Sequence, residues 1–221
     1  FEGSHLRNRG YYADEGIHFR KFGNYFTVRK HEAGWFFTPT ARLIKTDTVE
    51  NDLTVMSMLC SSMNRYILNV LNPQIHFNIS AVESVPAELS YEARRQVTNY
   101  VKQGLDKRKI QQSLEETKLE FDPDQFYENM ESLVYERERM ESLVQIYHGL
   151  IDNEIFRAYD ISKETVELIY NEVPKNLARL PIADIDYATD LNVEVDQQKE
   201  IDDLHSLVRD SDGEDLREIS E

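Results

Sequence analysis

The sequence predicts an α+β chain: a small β-rich unit with one packed helix, then a helical spacer, then an acidic and partly disordered tail. Three observations carry this reading. Aromatic and β-branched runs occupy residues 11–45. Apolar residues recur at three and four between Asp52 and Asn72. Helical periodicity with capping signals resumes at Ser90 and persists for most of the next eighty residues. Strands followed by helices, rather than the two in alternation, are the pattern of an α+β chain and not of a parallel α/β sheet. The boundaries expected are 1–89, 90–172 and 173–221.

Tyr25-Phe26-Thr27-Val28 and Trp35-Phe36-Phe37-Thr38 read as strands separated by the turn His31-Glu32-Ala33-Gly34. Leu53, Met56, Leu59, Met63, Ile67, Leu68 and Leu71 lie on one face of a helix over Asp52–Asn72. Pro73 ends it, because a residue before proline is pushed out of the α region. Ile75, Phe77 and Ile79 alternate with His76 and Asn78, the signature of a half-buried strand, and Val85-Pro86 closes the unit.

Ser90 caps a helix running to Leu105. Asp122-Pro123-Asp124 opens a long helix reaching about Tyr159 and interrupted near Gly149. Within it Met130-Glu131-Ser132-Leu133-Val134 recurs as Met140-Glu141-Ser142-Leu143-Val144, but a ten-residue spacing is no heptad, so the echo marks one amphipathic helix and no repeat array. Ile161-Ser162 caps a further helix to about Tyr170. Beyond Pro174 the chain is acidic and poor in aromatics; Lys199–Val208 reads as helical and the stretch from Asp210 as disordered.

Charge divides the chain more sharply than hydropathy does. The net charge is −16, yet residues 1–110 carry 15 Lys/Arg against 11 Asp/Glu, and residues 111–221 carry 10 against 30. A net of +4 in front and −20 behind points to two different tasks. No apolar run approaches membrane-spanning length, so no membrane partner is expected. The opening Phe1-Glu2-Gly3-Ser4 lacks a signal peptide's basic and apolar regions. A single cysteine, Cys60, excludes an internal disulfide and fits a cytoplasmic address. Residue 1 is not methionine, and the chain is expected to be a piece of a longer protein.

Several chemistries find no signature. One cysteine and scattered histidines supply no zinc ligand spacing, and no G-x-G-x-x-G loop follows a strand. No G-x-S-x-G elbow marks a nucleophile. Asn72-Pro73-Gln74-Ile75 comes near the Asn-Pro-Pro-aromatic tetrad with which amino-methyltransferases hold a flipped adenine. Ile75 offers no π face where that tetrad has its aromatic, so the segment reads as punctuation between helix and strand. No catalytic residues, bound cofactor or metal are expected in this chain.

Four segments, in order, resemble the C-terminal specificity portion of the PglX-type adenine-specific DNA methyltransferases of BREX phage defence, relatives of fused type II restriction–modification methylases. Gly16-Ile17, Phe26-Thr27-Val28-Arg29 and Gly34-Trp35-Phe36-Phe37 resemble the family's G-I-x-W, F-x-x-R-Y and G-F-x-F strands. Met58–Met63 through Tyr66-Ile67-Leu68 resembles its L-N-S-x-x-x-x-Y-I-L helix. Leu71-Asn72-Pro73, Phe77-Asn78-Ile79 and Val85-Pro86 resemble L-N-P-T-x-x-F-Q-V-G-D-I-x-x-L-P. Ile151–Phe156, Tyr159-Asp160-Ile161 and Thr165–Ile169 resemble I-D-x-x-V-y-x-L-Y-G-L-x-x-x-E-I-x-x-I. The likeness spans roughly residues 11–172, and its signal lies in the order and spacing of motifs that are individually weak. Asn78, Ser80 and Asp160 depart from it, standing where the family favours Gln, Gly and Gly.

The resemblance implies a target-recognition unit and helical spacer without a catalytic half, which would lie N-terminal to Phe1 and bind S-adenosylmethionine there. Double-stranded DNA and a catalytic methyltransferase domain or subunit are the partners implied. A DNA reader needs Lys and Arg for phosphates and polar side chains for base edges. Arg7, Arg9, Arg20, Lys21, Arg29, Lys30 and His31 supply these in the basic half. Each alone is also what an ordinary solvated surface carries, and Arg29 is equally open to a structural role. Tyr11, Tyr12, Tyr25, Trp35, Phe36 and Phe37 are expected in the core, as are Met56 and Met63.

Two other readings compete. One is half of a type I restriction specificity subunit, whose recognition domain also ends in N-I-x-x-x-x-x-x-P (here Asn78-Ile79 to Pro86) before a long helix. The other is a protein-interaction scaffold with no DNA binding, its acidic helices facing a partner.

Overall fold

The structure, a computed structural model, describes residue 11 and residues 13–23, 26–35, 40–72, 76–113 and 130–173. The chain divides into two compact units, Phe1–Glu88 and Leu89–Glu221. The first combines an antiparallel sheet with helices and the second is helical where it is described, an α+β arrangement.

Strands β1 (Gly16–Arg20), β2 (Val28–His31) and β3 (Ala41–Ile44) form a three-stranded sheet with β1 in the centre. The ladders run antiparallel, Ile17 opposite Lys30 on one side and Ile44 on the other, Phe19 opposite Val28 and Arg42. Ile17, Phe19 and Val28 are buried on one face, so strand alternation places His18, Arg20 and Arg29 on the other. Phe26 continues the apolar face beyond β2, its ring 5.3 Å from Phe19 and 5.1 Å from Phe77. Aromatic pairs at such spacings add stabilisation beyond the area they bury.

Helix α1 (Val49–Cys60) contacts β1 and β2, and its Leu53, Met56, Met58 and Leu59 are buried. Thr48 caps it, its hydroxyl accepting from Asn51 N at 3.1 Å, while Asp52 Oδ1 accepts from Thr46 N at 2.7 Å. The single helix expected over Asp52–Asn72 is two. Ser61 leaves helical geometry with ψ 148° and ends α1, then caps α2 (Ser62–Leu71) by accepting from Asn64 N. The apolar spacing does not register this break, because a one-residue extended link keeps Met63 and Leu68 in the same core. Asn64 ties the region together, its amide donating to Met58 O at 3.0 Å and Pro86 O at 2.9 Å.

Among its described residues, 76–79, the strand expected over Ile75–Ile79 is not formed. His76 forms one isolated bridge with Phe22, Phe77 N donates to Lys21 O, and helix α3 (Ile79–Glu83) begins at once. Phe77 is buried, but Ile79 is 47% exposed, so the alternation that suggested a strand does not correspond to one buried face. Tyr11 and Trp35 are likewise not core: both are more than half exposed. Met56 and Met63 are buried as expected, whereas Tyr12, Tyr25, Phe36 and Phe37 lie outside the described residues.

In the second unit helix α4 (Tyr91–Ser113) starts at Ser90, whose hydroxyl accepts from Ala93 N, and runs eight residues past Leu105. It packs on α5 (Met130–Ala158). Gly104 faces Tyr147, and an added Cβ would meet the tyrosine Cβ at 3.5 Å, an ordinary van der Waals contact. Helix α5 passes through Gly149 unbroken, contrary to the interruption expected there. A helical glycine costs only about 1 kcal/mol relative to alanine, and burial of Ile146, Tyr147, Leu150 and Ile151 around it offsets that. The start expected at Asp122 and the tail beyond Val173 lie outside the described residues.

Asp160 ends α5 in the left-handed region with φ 50°, and Ile161 N reaches back to Phe156 O at 3.0 Å. Asp is among the few non-glycine residues that tolerate this conformation. Ser162 then caps α6 (Lys163–Glu172), accepting from Thr165 N. Val166, Ile169 and Tyr170 close the core, with Tyr170 edge-on to Phe156. Among the described residues no helix is long and apolar enough to cross a membrane.

Candidate nucleic-acid interface

Residues directly opposite each other in an antiparallel ladder share a face. His18 lies opposite Arg29 and Leu43, Gly16 opposite His31, and Arg20 opposite Ala41. The face turned from Ile17 and Phe19 therefore gathers His18, Arg20, Arg29 and His31. Arg20 and Arg29 are exposed, and His18 is partly buried between them. Among the described residues no carboxylate lies within ion-pair distance of either arginine.

The two histidines meet edge to face, with ring centroids 5.6 Å apart. His31 is 5% exposed, and its Nε2 lies 2.9 Å from Trp35 O, where an N–H donates to the carbonyl. It is thus a buried support for the face and not a group offered to solvent. His18 Nδ1 is buried with no hydrogen-bond partner. Burial pushes the His18 imidazole below its ordinary value, and positive charge at His31, Arg29 and Arg20 pushes the same way. The face thus brings a histidine and two exposed arginines together, with no carboxylate in ion-pair range of the arginines among the described residues.

The run Arg29-Lys30-His31 does not act as one patch. Lys30 lies opposite Ile17, on the other side of the sheet, and its ammonium stands 3.9 Å from Glu32. Arg20 and Lys21 also part company, because the chain bends after β1. Lys21 N donates to Thr40 O at 2.8 Å, Lys21 O accepts from Phe77 N at 2.9 Å, and Lys21 Nζ lies 5.1 Å from the Phe22 ring centroid. Phe22 stacks on His76 at 5.0 Å with 21° between the ring planes. Arg7 and Arg9 lie outside the described residues.

Comparison with protein-family models and with curated proteins gives no match to this chain.

His18 on this face, and Phe22 and His76 beyond the end of β1, are not among the site residues expected from the sequence. His18 alternates with Ile17 and Phe19, a period-2 signal that could have placed it beside Arg20 on the polar face. Nothing local in the sequence pairs Phe22 with His76, which are 54 positions apart. The sheet face offers positive charge and N–H donors, and Phe22, just past β1, offers an exposed aromatic ring. Cations and N–H donors of this kind are the groups that contact phosphates in nucleic-acid complexes.

Proposed function

We propose that this chain is the DNA target-recognition part of a site-specific N6-adenine DNA methyltransferase of the phage-defence or restriction–modification kind, working in the cytoplasm. The observation that carries the reading is the sheet face bearing His18, Arg20 and Arg29 without carboxylate partners. The order of family-like motifs across residues 11–172 supports it. Arg20 and Arg29 contact backbone phosphates and fix the register of the duplex, while side chains of the loops around the sheet read base edges. Methyl transfer and S-adenosylmethionine belong to a catalytic domain or subunit with which this chain works. The net charge of −16 is no obstacle, since the negative excess lies in residues 111–221.

Salt-dependent binding of the full chain to duplex DNA tests this. Binding at low salt is expected to weaken linearly with the logarithm of salt concentration. Arg20→Glu with Arg29→Glu is expected to reduce that slope by about 2, one for each phosphate no longer neutralised. Unchanged binding by the double variant, or no binding by the wild type at low salt, refutes the proposal.

A further inference from the structure

Phe22 is 48% exposed, yet both its backbone and its ring have partners. The preceding residue is held on one side by Thr40 and on the other by Phe77, and the ring rests on His76. The Phe22–His76 bridge fixes the backbone at the same point. Lys21 Nζ lies over the ring, 5.1 Å from its centroid, so a base would take the place of that ammonium, and exposed Arg20 lies two residues back, at most about 7 Å along an extended chain. An exposed aromatic held rigid among cations is the combination that binds nucleobases by stacking and the adjoining phosphates by charge. Stacking needs only a π face, so it suits any base that has left its neighbours, and a ring already fixed in place loses little freedom when it is covered.

We propose that Phe22, backed by His76 and flanked by Lys21, is a stacking surface for a nucleobase out of its helical stack, next to the phosphates held by Arg20 and Arg29. This rests on the nucleic-acid reading of the neighbouring sheet face and extends it. The recognised DNA is then not read as an undisturbed duplex. It yields at least one base from the stack, and Lys21 shifts from the Phe22 ring toward the phosphate of that nucleotide.

The experiment compares binding of the full chain to a short oligothymidylate strand and to an abasic strand of the same length, which keeps every phosphate and lacks the bases. Wild type is expected to favour the base-bearing strand by about tenfold, the order of one stacking contact. Phe22→Leu, which keeps an apolar side chain without a π face, is expected to lose that preference while binding the abasic strand as wild type does. Phe22→Trp is expected to retain it. A preference that survives in Phe22→Leu overturns the proposal. So does a wild type that binds both strands equally with strong salt dependence, an outcome that leaves the phosphate-binding face standing. Failure of the wild type to bind either strand at low salt overturns both.

Discussion

His18 and Arg29 stand directly opposite each other across the β1–β2 ladder, an imidazole and a guanidinium on one face with no carboxylate joining them among the described residues. Like charges placed opposite one another in a sheet are destabilising. The fold keeps this pair tolerable by burying His18 enough to favour its neutral form.

Stability should therefore respond to protonation of this one residue. The folded-state value of His18 lies below its ordinary 6.5, so near that pH the unfolded chain binds more protons than the fold. Its contribution is fully present above pH 6.5 and is lost as pH falls through 6.5 and on through the lowered folded-state value. In urea unfolding, wild type should lose more stability between about pH 8 and about pH 5 than His18→Gln. Parallel pH curves for the two proteins would show that His18 is not the group responsible. A bound phosphate reverses the sign, because it favours the imidazolium: DNA affinity should rise on acidification, and rise less in His18→Gln.

A second test concerns the centre of the sheet. A Cβ built on Gly16 would sit 2.8 Å from Ile44 O and 3.2 Å from Leu43 Cδ1, both of the neighbouring strand β3. The backbone oxygen cannot swing aside as a flexible side chain does. Gly16→Ala should cost about 1–3 kcal/mol, the usual range for overpacking. Hydrogen exchange should show amides of β3 losing protection first; an alanine variant as stable as wild type would contradict the close approach.

Ser61 serves two helices at once, and removing its hydroxyl should cost more than removing an ordinary cap. That hydroxyl donates to Met58 O at 2.7 Å and accepts from Asn64 N at 3.2 Å, with the residue wholly buried. Ser61→Ala should cost about 2 kcal/mol, the upper end for cap removal, because water cannot reach the groups left unpaired. Thr48→Ala, at the exposed cap of α1, should cost about half as much. Equal denaturation midpoints for the two variants would disprove the double role.

The class of the fold and most of its local punctuation are legible in the order of residues alone. Ser90 and Ser162 cap their helices because a hydroxyl that satisfies a free N–H three residues on is a local matter. Met56 and Met63 are core because helical spacing puts them on one face. The basic character of Arg20 and Arg29 is equally plain, but not which of their neighbours join them. Lys30 is parted from Arg29 by the pleat, and His31 is turned inward onto Trp35 O.

What remains depends on contacts between distant parts of the chain. Gly149 stays helical because burial around it outweighs a propensity cost that a window of sequence reads as a stop. Ser61 breaks one apolar series into two helices through local bonds, but Asn64, whose N–H it accepts, also reaches Pro86 O, 22 positions on. His76 forms a single bridge with Phe22, a partner far back in the chain, and α3 begins three residues later. Local interactions are written in spacing, whereas the meeting of Phe22 with His76 depends on how the whole unit closes.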